Sequence, residues 1–282
     1  MNEIERKEIM KDALIVTALA FLMKEPTWDS ELSDEDFYGR KVEILSQVSE
    51  EWFEVRTQYQ YTGFVHISQL LFDTEKIKLW EKMNKKQVLQ PFADVLSMPK
   101  VQGHHVISLV KGGLVGILKS ADENGWVQVM LCDGRTGYIK EKYLGPYYIS
   151  YTLDKEEELR GKIVNTALSY MGTQYRWGGK SPMGMDCSGL CSVAYMLNGI
   201  LIYRDADIVE GFPIHEISIE RMKPADLIFF PGHVAMYIGN NKYVHSTAKN
   251  GSDGVVINSL NPCDTDYRED LAQKIKAVGS LF

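Results

Sequence analysis

Cysteine is scarce in this chain of 282 residues, which has only Cys132, Cys187, Cys191 and Cys263. No two of them have the C-x-x-C spacing typical of a metal or redox site. So few cysteines over this length also exclude a small fold held together by disulfides. We therefore expect the protein to work in a reducing, cytoplasmic environment.

Positive charge and long hydrophobic runs are lacking as well. Lys and Arg number 31 against 38 Asp and Glu, giving a net charge of −7, so a nucleic-acid partner, which needs a basic surface, is not expected. The apolar stretch Asp12–Met23 is too short for a membrane span, which takes about 20 residues. Acidic residues precede it and no small-residue cleavage site follows, unlike a signal peptide. We predict a helix running into a first strand here.

An internal repeat is present in the first half. "VEILSQVSEEWFEVRTQYQYTGFVHISQL" (Val42–Leu70) and "VGILKSADENGWVQVMLCDGRTGYIKEKYL" (Val115–Leu144) share V-x-I-L, then W-x-x-V, then T-G-aromatic-aliphatic and a closing Leu. Similarity at a fixed offset indicates one structural unit used twice. Its short alternating runs, separated by turn residues, predict a small antiparallel barrel or sandwich.

The repeat and the shifts in composition divide the chain. We predict an N-terminal helix and a first repeat domain over 1–72, a helical linker over 73–89, a second repeat domain over 90–150 and a third domain over 151–282. The repeated pattern resembles the bacterial SH3-type domain, a small barrel found on cell-wall enzymes.

The third domain contains a cysteine where a loop becomes a helix, in "GMDCSGLCSVAYML" (Gly184–Leu197). The unpaired N–H groups and the dipole at a helix N-terminus favour a thiolate over a thiol. We therefore predict that Cys187 is a nucleophile with a depressed pKa. Cys191 lies one turn further on and is interpreted as a core residue.

Two histidines could supply the base. His233 opens the predicted strand "HVAMYIG", and after the turn "NN" the strand "KYVHST" carries His245. A clean two-residue loop would put the two side chains on opposite faces of the hairpin, whereas a three-residue loop or one bulge would put them on the same face. In the second case His245 can hold the ring of His233 and fix its tautomer.

The motifs "YRWGGKSPMGMDCSGL", "KPADLIFF", "GHVAMYIGNNKYVHS" and "GVVINSL" resemble the NlpC family of papain-like cell-wall cysteine peptidases. The resemblance implies an α+β fold, with two small SH3-like β-barrels followed by a papain-like catalytic domain. It places the nucleophile on Cys187, the base on His233, a third polar residue on His245 and a family tyrosine on Tyr175. It also implies cleavage between γ-D-glutamate and a diamino acid, diaminopimelate or lysine, in peptidoglycan stem peptides.

The domain order resembles the subgroup that trims free murein peptides with an unblocked N-terminal L-alanine. Glu25 and Tyr61 have no counterparts of the same type in the second repeat. We predict that they bind the alanine amine, together with Asp205. Ser188 is our candidate for binding the α-carboxylate of D-glutamate. The full set of predicted substrate-binding residues is Glu25, Tyr61, Tyr175, Asp186, Ser188 and Asp205. One departure is that the family often has a serine where this chain has Asp207.

Two other functions remain open. One is an inactive or weak cell-wall-binding protein that uses the SH3-type domains, although the intact Cys187, His233 and His245 argue against it. The other is a papain-like amidase or acyltransferase. No metal or other cofactor is implied, because a thiolate and N–H donors suffice for acyl transfer. The expected partner is a murein tri- or tetrapeptide, with no nucleic acid and no membrane span.

Overall fold

The computed structural model describes residues 11–282. The chain divides into two compact units, one ending at Tyr147 and the other comprising Tyr148–Phe282. Strands predominate in both, with few helices. Among the described residues, no helix has the length and apolar character needed to cross a membrane.

In its described residues, the first unit consists of strands, one α-helix and two short 3-10 turns. Its elements are β1 Asp12–Ile15, β2 Leu19–Met23, β3 Leu32–Phe37, β4 Lys41–Gln47, β5 Trp52–Arg56, β6 Thr62–His66, a 3-10 turn Ile67–Gln69, β7 Leu70–Leu71, α1 Thr74–Lys82, β8 Lys85–Val88, β9 Phe92–Leu96, β10 His105–Val110, β11 Leu114–Lys119, β12 Trp126–Met130, β13 Thr136–Lys140, a 3-10 turn Glu141–Tyr143 and β14 Leu144–Pro146.

These strands form two sheets of identical topology. The first has the order β3-β2-β6-β5-β4-β1-β7 and the second the order β10-β9-β13-β12-β11-β8-β14. The register repeats as well, because Trp52 pairs with His66 in the first sheet and Trp126 pairs with Lys140 in the second. In the described part of each sheet, the two outermost strands are not paired with each other. The internal repeat of the sequence thus appears as one sheet topology formed twice.

Helix α1 connects the two sheets. Asp73 caps its N-terminus by accepting hydrogen bonds from the N–H groups of Glu75 and Lys76. Its inward face buries Trp80, whose indole N–H donates to the carbonyl oxygen of Gly39 at 2.8 Å. Gly39 has a φ of +76°, and a Cβ there would lie 2.7 Å from the Trp80 ring. This contact therefore requires glycine at position 39.

The segment Asp12–Met23 is predicted to begin as a helix and to run into a strand; the helical part is wrong, whereas the strand is present. Asp12–Ile15 and Leu19–Met23 are both strands, which pair within the first sheet. An apolar run of this length fits a buried strand as well as a helix segment, and the sheet neighbours decide between them. Any helical portion of the prediction that falls on residues 1–10 lies outside the described residues.

The predicted helical linker over 73–89 is only partly helical. Helix α1 ends at Lys82, and Lys85–Val88 is strand β8, which pairs with β11 and β14 in the second sheet. The two lysines of this strand are partly exposed, whereas Gln87 and Val88 are buried. The polar residues of this segment show no apolar alternation, so the sequence does not predict the strand.

The second unit contains three α-helices and eight strands in its described residues. Its elements are α2 Glu156–Leu168, β15 Lys180–Ser181, β16 Gly184–Met185, α3 Cys187–Met196, β17 His215–Ile217, a 3-10 turn Ile219–Arg221, β18 Leu227–Phe230, β19 His233–Gly239, β20 Lys242–Thr247, β21 Gly254–Ser259, α4 Glu269–Ala272 and β22 Ala277–Ser280. The main sheet is antiparallel with the order β17-β22-β18-β19-β20-β21.

Helix α3 is the central helix of this unit. All its residues are buried, as expected for a helix that is apolar on every side. It packs against strands β15, β19 and β20 and against helix α2. This packing places the N-terminus of α3 near the strands that carry the two histidines.

Candidate active site

Cys187 is the first residue of helix α3, as the sequence predicts. Asp186 is the N-cap, and its carboxylate accepts a hydrogen bond from the N–H of Gly189 at 2.5 Å. A Cβ at position 189 would lie 2.0 Å from the carbonyl oxygen of Gly179, so only glycine allows this close approach. The "DCSGL" motif thus encodes a cap, a helix start and a tight contact with the preceding loop.

The capping carboxylate is itself held by a buried arginine. Both terminal nitrogens of Arg204 lie 3.1 Å from the oxygens of Asp186, and Nη1 also donates to the Ser188 hydroxyl at 2.8 Å. The Ser188 hydroxyl in turn donates to Asp186 at 3.2 Å. A buried carboxylate requires such a partner. Asp186 and Ser188, both predicted to bind substrate, therefore already belong to a network that orients the start of α3.

The thiol of Cys187 is almost fully enclosed, with 8% of the residue exposed. Burial raises its pKa to about 11, and the charge of Asp186 adds to the rise. Backbone groups of Val234 and Ser188 and the charge of Arg204 act in the opposite direction. The prediction of a depressed pKa is wrong for this structure, because desolvation outweighs the helix N-terminus.

The register of the β19–β20 hairpin decides the relation of the two histidines. Gly239 pairs with Lys242, and Asn240 and Asn241 both have positive φ, as a two-residue type I′ turn requires. Between Tyr237 and Gly239 the register shifts by one residue, which leaves Ile238 unopposed as a bulge. This bulge brings His233 and His245 to the same face of the sheet.

The two imidazoles form one hydrogen-bonded pair. Nε2 of His233 lies 2.7 Å from Nδ1 of His245, and Nε2 of His245 lies 2.9 Å from Oδ1 of Asn258. Burial lowers the pKa of His233 to about 3 and that of His245 to about 4, so both rings are neutral near pH 7. Asn258 was not singled out from the sequence, although it lies in the motif "GVVINSL". Only its hydrogen bond identifies it.

Cys187 lies beside strand β19, the strand that carries His233. The backbone of Val234, the residue directly after His233, makes a hydrogen bond to Cys187 that favours the thiolate. With Nε2 of His233 engaged by His245, Nδ1 is the nitrogen left to accept a proton. The arrangement combines a buried thiol with two hydrogen-bonded imidazoles, the groups that nucleophilic catalysis by cysteine uses.

Tyr175 lies in the electrostatic environment of the thiol. It is half-buried, and its pKa is raised to about 12 by burial and by the nearby Cys187 and Asp186. Its phenol therefore remains protonated at neutral pH and keeps a donor O–H. The segment is fixed by a bridge between Tyr175 and Met185, directly before the cap of α3.

The remaining predicted substrate residues fall in two places. Ser188 and Asp205 line one narrow cavity of the second unit, whose wall also includes Asp207. Glu25 and Tyr61 belong to the first unit, where Glu25 is exposed in a turn and Tyr61 is half-buried against the core of the first sheet.

The comparisons with known proteins agree with this geometry. The NlpC/P60 family pattern matches residues 172–268, which include Cys187, His233 and His245. Dipeptidyl-peptidase 6 of Lysinibacillus sphaericus is 45% identical over 273 residues, covering 96% of this chain and 100% of that protein. This chain belongs to the NlpC/P60 family. Its relatives indicate that this NlpC/P60 protein is a cysteine peptidase.

Two further relatives cover most of the chain. Gamma-D-glutamyl-L-lysine dipeptidyl-peptidase of Bacillus subtilis is 26% identical over 263 residues, which is 86% of this chain and 80% of that protein. The crystal structure of an NlpC/P60 family protein from Bacillus cereus superposes with a TM-score of 0.74 at 20% identity, covering 95% of this chain and 98% of that one. The latter likeness establishes the NlpC/P60 fold alone.

Proposed function

We propose that this NlpC/P60 peptidase hydrolyses the bond between γ-D-glutamate and a diamino acid in murein tri- or tetrapeptides with a free N-terminal L-alanine. The observation that carries the proposal is Cys187 at the start of α3, hydrogen-bonded by the residue after His233, whose ring is held by His245. The relatives named dipeptidyl-peptidase 6 and gamma-D-glutamyl-L-lysine dipeptidyl-peptidase support the substrate class.

In the proposed reaction Nδ1 of His233 takes the thiol proton while the sulfur of Cys187 attacks the γ-carbonyl carbon. The C–N bond then breaks, and the imidazolium returns the proton to the departing diamino acid. Water attacks the resulting thioester and loses a proton to His233; the C–S bond breaks, the imidazolium returns this proton to the sulfur of Cys187, and L-Ala-D-Glu is released. Burial raises the pKa of the Cys187 thiol and lowers that of His233, so we propose that proton transfer accompanies attack.

Stabilisation of the oxyanion is assigned to donors at the start of α3. The helix N-terminus presents unpaired N–H groups beside the sulfur. Tyr175, whose phenol is protonated at neutral pH and which lies near Cys187, is the candidate for an additional O–H donor. No step in this scheme requires a metal or an organic cofactor.

The free amine of L-alanine is proposed to bind a carboxylate pocket. A buried ammonium needs a charged partner and hydrogen bonds. Glu25 and Tyr61 are candidates because the second repeat has Met98 and Arg135 at these positions, so the repeated sheet does not require them. Asp205 is a separate candidate for the amine, and Ser188 is the candidate for the α-carboxylate of D-glutamate.

The two repeated sheets are proposed to be SH3-type domains, on the strength of their identical strand order and of the sequence pattern. A cytoplasmic place of action, expected from the scarcity of cysteine, belongs to the same proposal. Cell fractionation with an antibody to the protein would test it.

Mass spectrometry of the reaction products is the direct test of the activity. L-Ala-γ-D-Glu-diamino acid, made with diaminopimelate and with lysine, is incubated with the wild type and with Cys187→Ser. We expect L-Ala-D-Glu and the free diamino acid from the wild type and intact peptide from the variant. Cys263→Ser, which replaces an exposed cysteine, is the matched control and should match the wild type. An uncleaved peptide with the wild type would overturn the proposal.

A further inference from the structure

The hydrogen bonds beyond His245 continue to a backbone carbonyl. Asn258 Nδ2 donates to the carbonyl oxygen of Asp266 at 2.8 Å, and its Oδ1 faces Nε2 of His245 at 2.9 Å. A carbonyl oxygen only accepts, so the amide nitrogen of Asn258 must be the atom that faces it. Oδ1 of Asn258 can then only accept, which requires a proton on Nε2 of His245.

The orientation of one amide therefore fixes two imidazole tautomers. In neutral His245 a proton on Nε2 leaves Nδ1 as an acceptor, so Nε2 of His233 must carry the proton between them. Nδ1 of His233 is then unprotonated, which is the form that a base acting on the thiol needs. We propose that Asn258 is a positioning residue that selects the reactive tautomer of His233 through His245. This inference rests on the proposed roles of Cys187 and His233.

The sheet and a loop hold Asn258 in this position. Tyr243 is its direct partner across β20 and β21, so Asn258 is a diagonal neighbour of His245 on the same face. The carbonyl of Asp266 also accepts from the N–H of Ser259, and Lys242 contacts the carboxylate of Asp266 at 2.6 Å. The acceptor for Asn258 Nδ2 is thus fixed by contacts independent of the histidines.

An amide suits this position because it carries no charge. A carboxylate there would favour the imidazolium of His245, whose Nδ1 proton would then point at Nε2 of His233 and drive the base into the wrong tautomer. The other charged groups acting on both rings are Arg268 and Asp270. Two hydrogen bonds of 2.7 Å join this arginine to this carboxylate, so their effects on the histidines oppose each other.

Two substitutions separate a tautomer role from a structural one. For Asn258→Asp we expect the acid limb of the kcat/KM profile on L-Ala-γ-D-Glu-lysine to move up by about one pH unit or more, with activity recovering at alkaline pH. For Asn258→Leu we expect kcat to fall about 10- to 100-fold across the profile, with little change in KM, because the tautomer is no longer selected. Asn261→Asp, which alters a contact to Asp264 in the neighbouring loop, should move neither limb.

A measurement on the wild type keeps the test independent of activity and of variant folding. Two-dimensional NMR of ring nitrogens in ¹⁵N-histidine-labelled protein should show a proton on Nε2 of both His233 and His245 at pH 7. A proton on Nδ1 of either ring, or an unshifted acid limb in a folded Asn258→Asp, would overturn the inference. If the wild type fails to cleave the peptide, the proposed function fails, while the NMR result still decides the role of Asn258.

Discussion

His233 and His245 lie on one face of their hairpin because Ile238 is unopposed between Tyr237 and Gly239. Without this bulge the two-residue turn would direct the rings to opposite faces. The 2.7 Å contact between the imidazoles therefore depends on one inserted residue, Ile238, whose apolar side chain has no chemical role of its own.

Deletion of Ile238 should lower activity strongly by changing the register of the β19–β20 hairpin. The hairpin keeps its turn, but one histidine moves to the other face, and the base loses its orienting partner. We expect kcat to fall about 100-fold or more, the size of a general-base contribution. Circular dichroism and thermal unfolding check the fold. Substituting Ile238→Val, which keeps the register, is the control, and equal losses from both changes would contradict the argument.

Alkylation should report the raised pKa of Cys187. At pH 7 iodoacetamide should modify exposed Cys263 before buried Cys187. Because only the thiolate reacts, the rate at Cys187 should rise about tenfold for each pH unit between pH 7 and 10. Peptide mapping by mass spectrometry gives both rates. Rapid, pH-independent modification of Cys187 down to pH 5 would indicate a preformed thiolate–imidazolium pair instead.

The two histidines should differ in the cost of their removal. His233→Ala should abolish measurable turnover, because it removes the base itself. His245→Asn should retain a small activity, because an amide can still accept from Nε2 of His233. Steady-state kinetics on the same peptide measure both, with exposed His215→Ala as the control. Complete loss in both variants would mean that His245 does more than orient the ring.

Arg204 should contribute strongly to stability. Arg204→Met leaves the capping carboxylate of Asp186 buried without its cation, which typically costs about 3–5 kcal/mol in the free energy of unfolding. Urea denaturation measures this change. The exposed pair of Lys162 and Glu158 offers a contrast, since Lys162→Met should cost less than about 1 kcal/mol. Similar costs at the two sites would refute the assignment.

The proposed amine pocket makes Glu25 important for free peptides. Loss of one partner of a desolvated charge pair costs about 2–5 kcal/mol, so Glu25→Ala should lower kcat/KM on L-Ala-γ-D-Glu-peptides about 30-fold or more. N-acetylated peptide should be a poor substrate for the wild type. Met98→Ala, at the matching position of the second repeat, should leave kcat/KM unchanged. Equal cleavage of free and acetylated peptide would exclude the pocket.

Local features were readable from the sequence because they depend on neighbours along the chain. Asp186 caps the helix at Cys187 through an N–H only three residues away, and the repeat was visible because equivalent strands keep equivalent residues. The chemistry of the third domain could therefore be assigned to Cys187 and two histidines before any fold was known, although their roles stay predictions.

Tertiary structure decided what depends on distant residues. The pKa of Cys187 is raised because burial removes the thiol from water. The sequence predicts the helix N-terminus at Cys187 but not this burial. The two histidines pair because of a β-bulge at Ile238, and no residue type in the sequence identifies this bulge. The role of Asn258 could be inferred only from the pairing of β21 with β20. Asp12–Ile15 is a strand rather than the predicted helix for the same reason, since sheet partners far along the chain determine the conformation of a short apolar run.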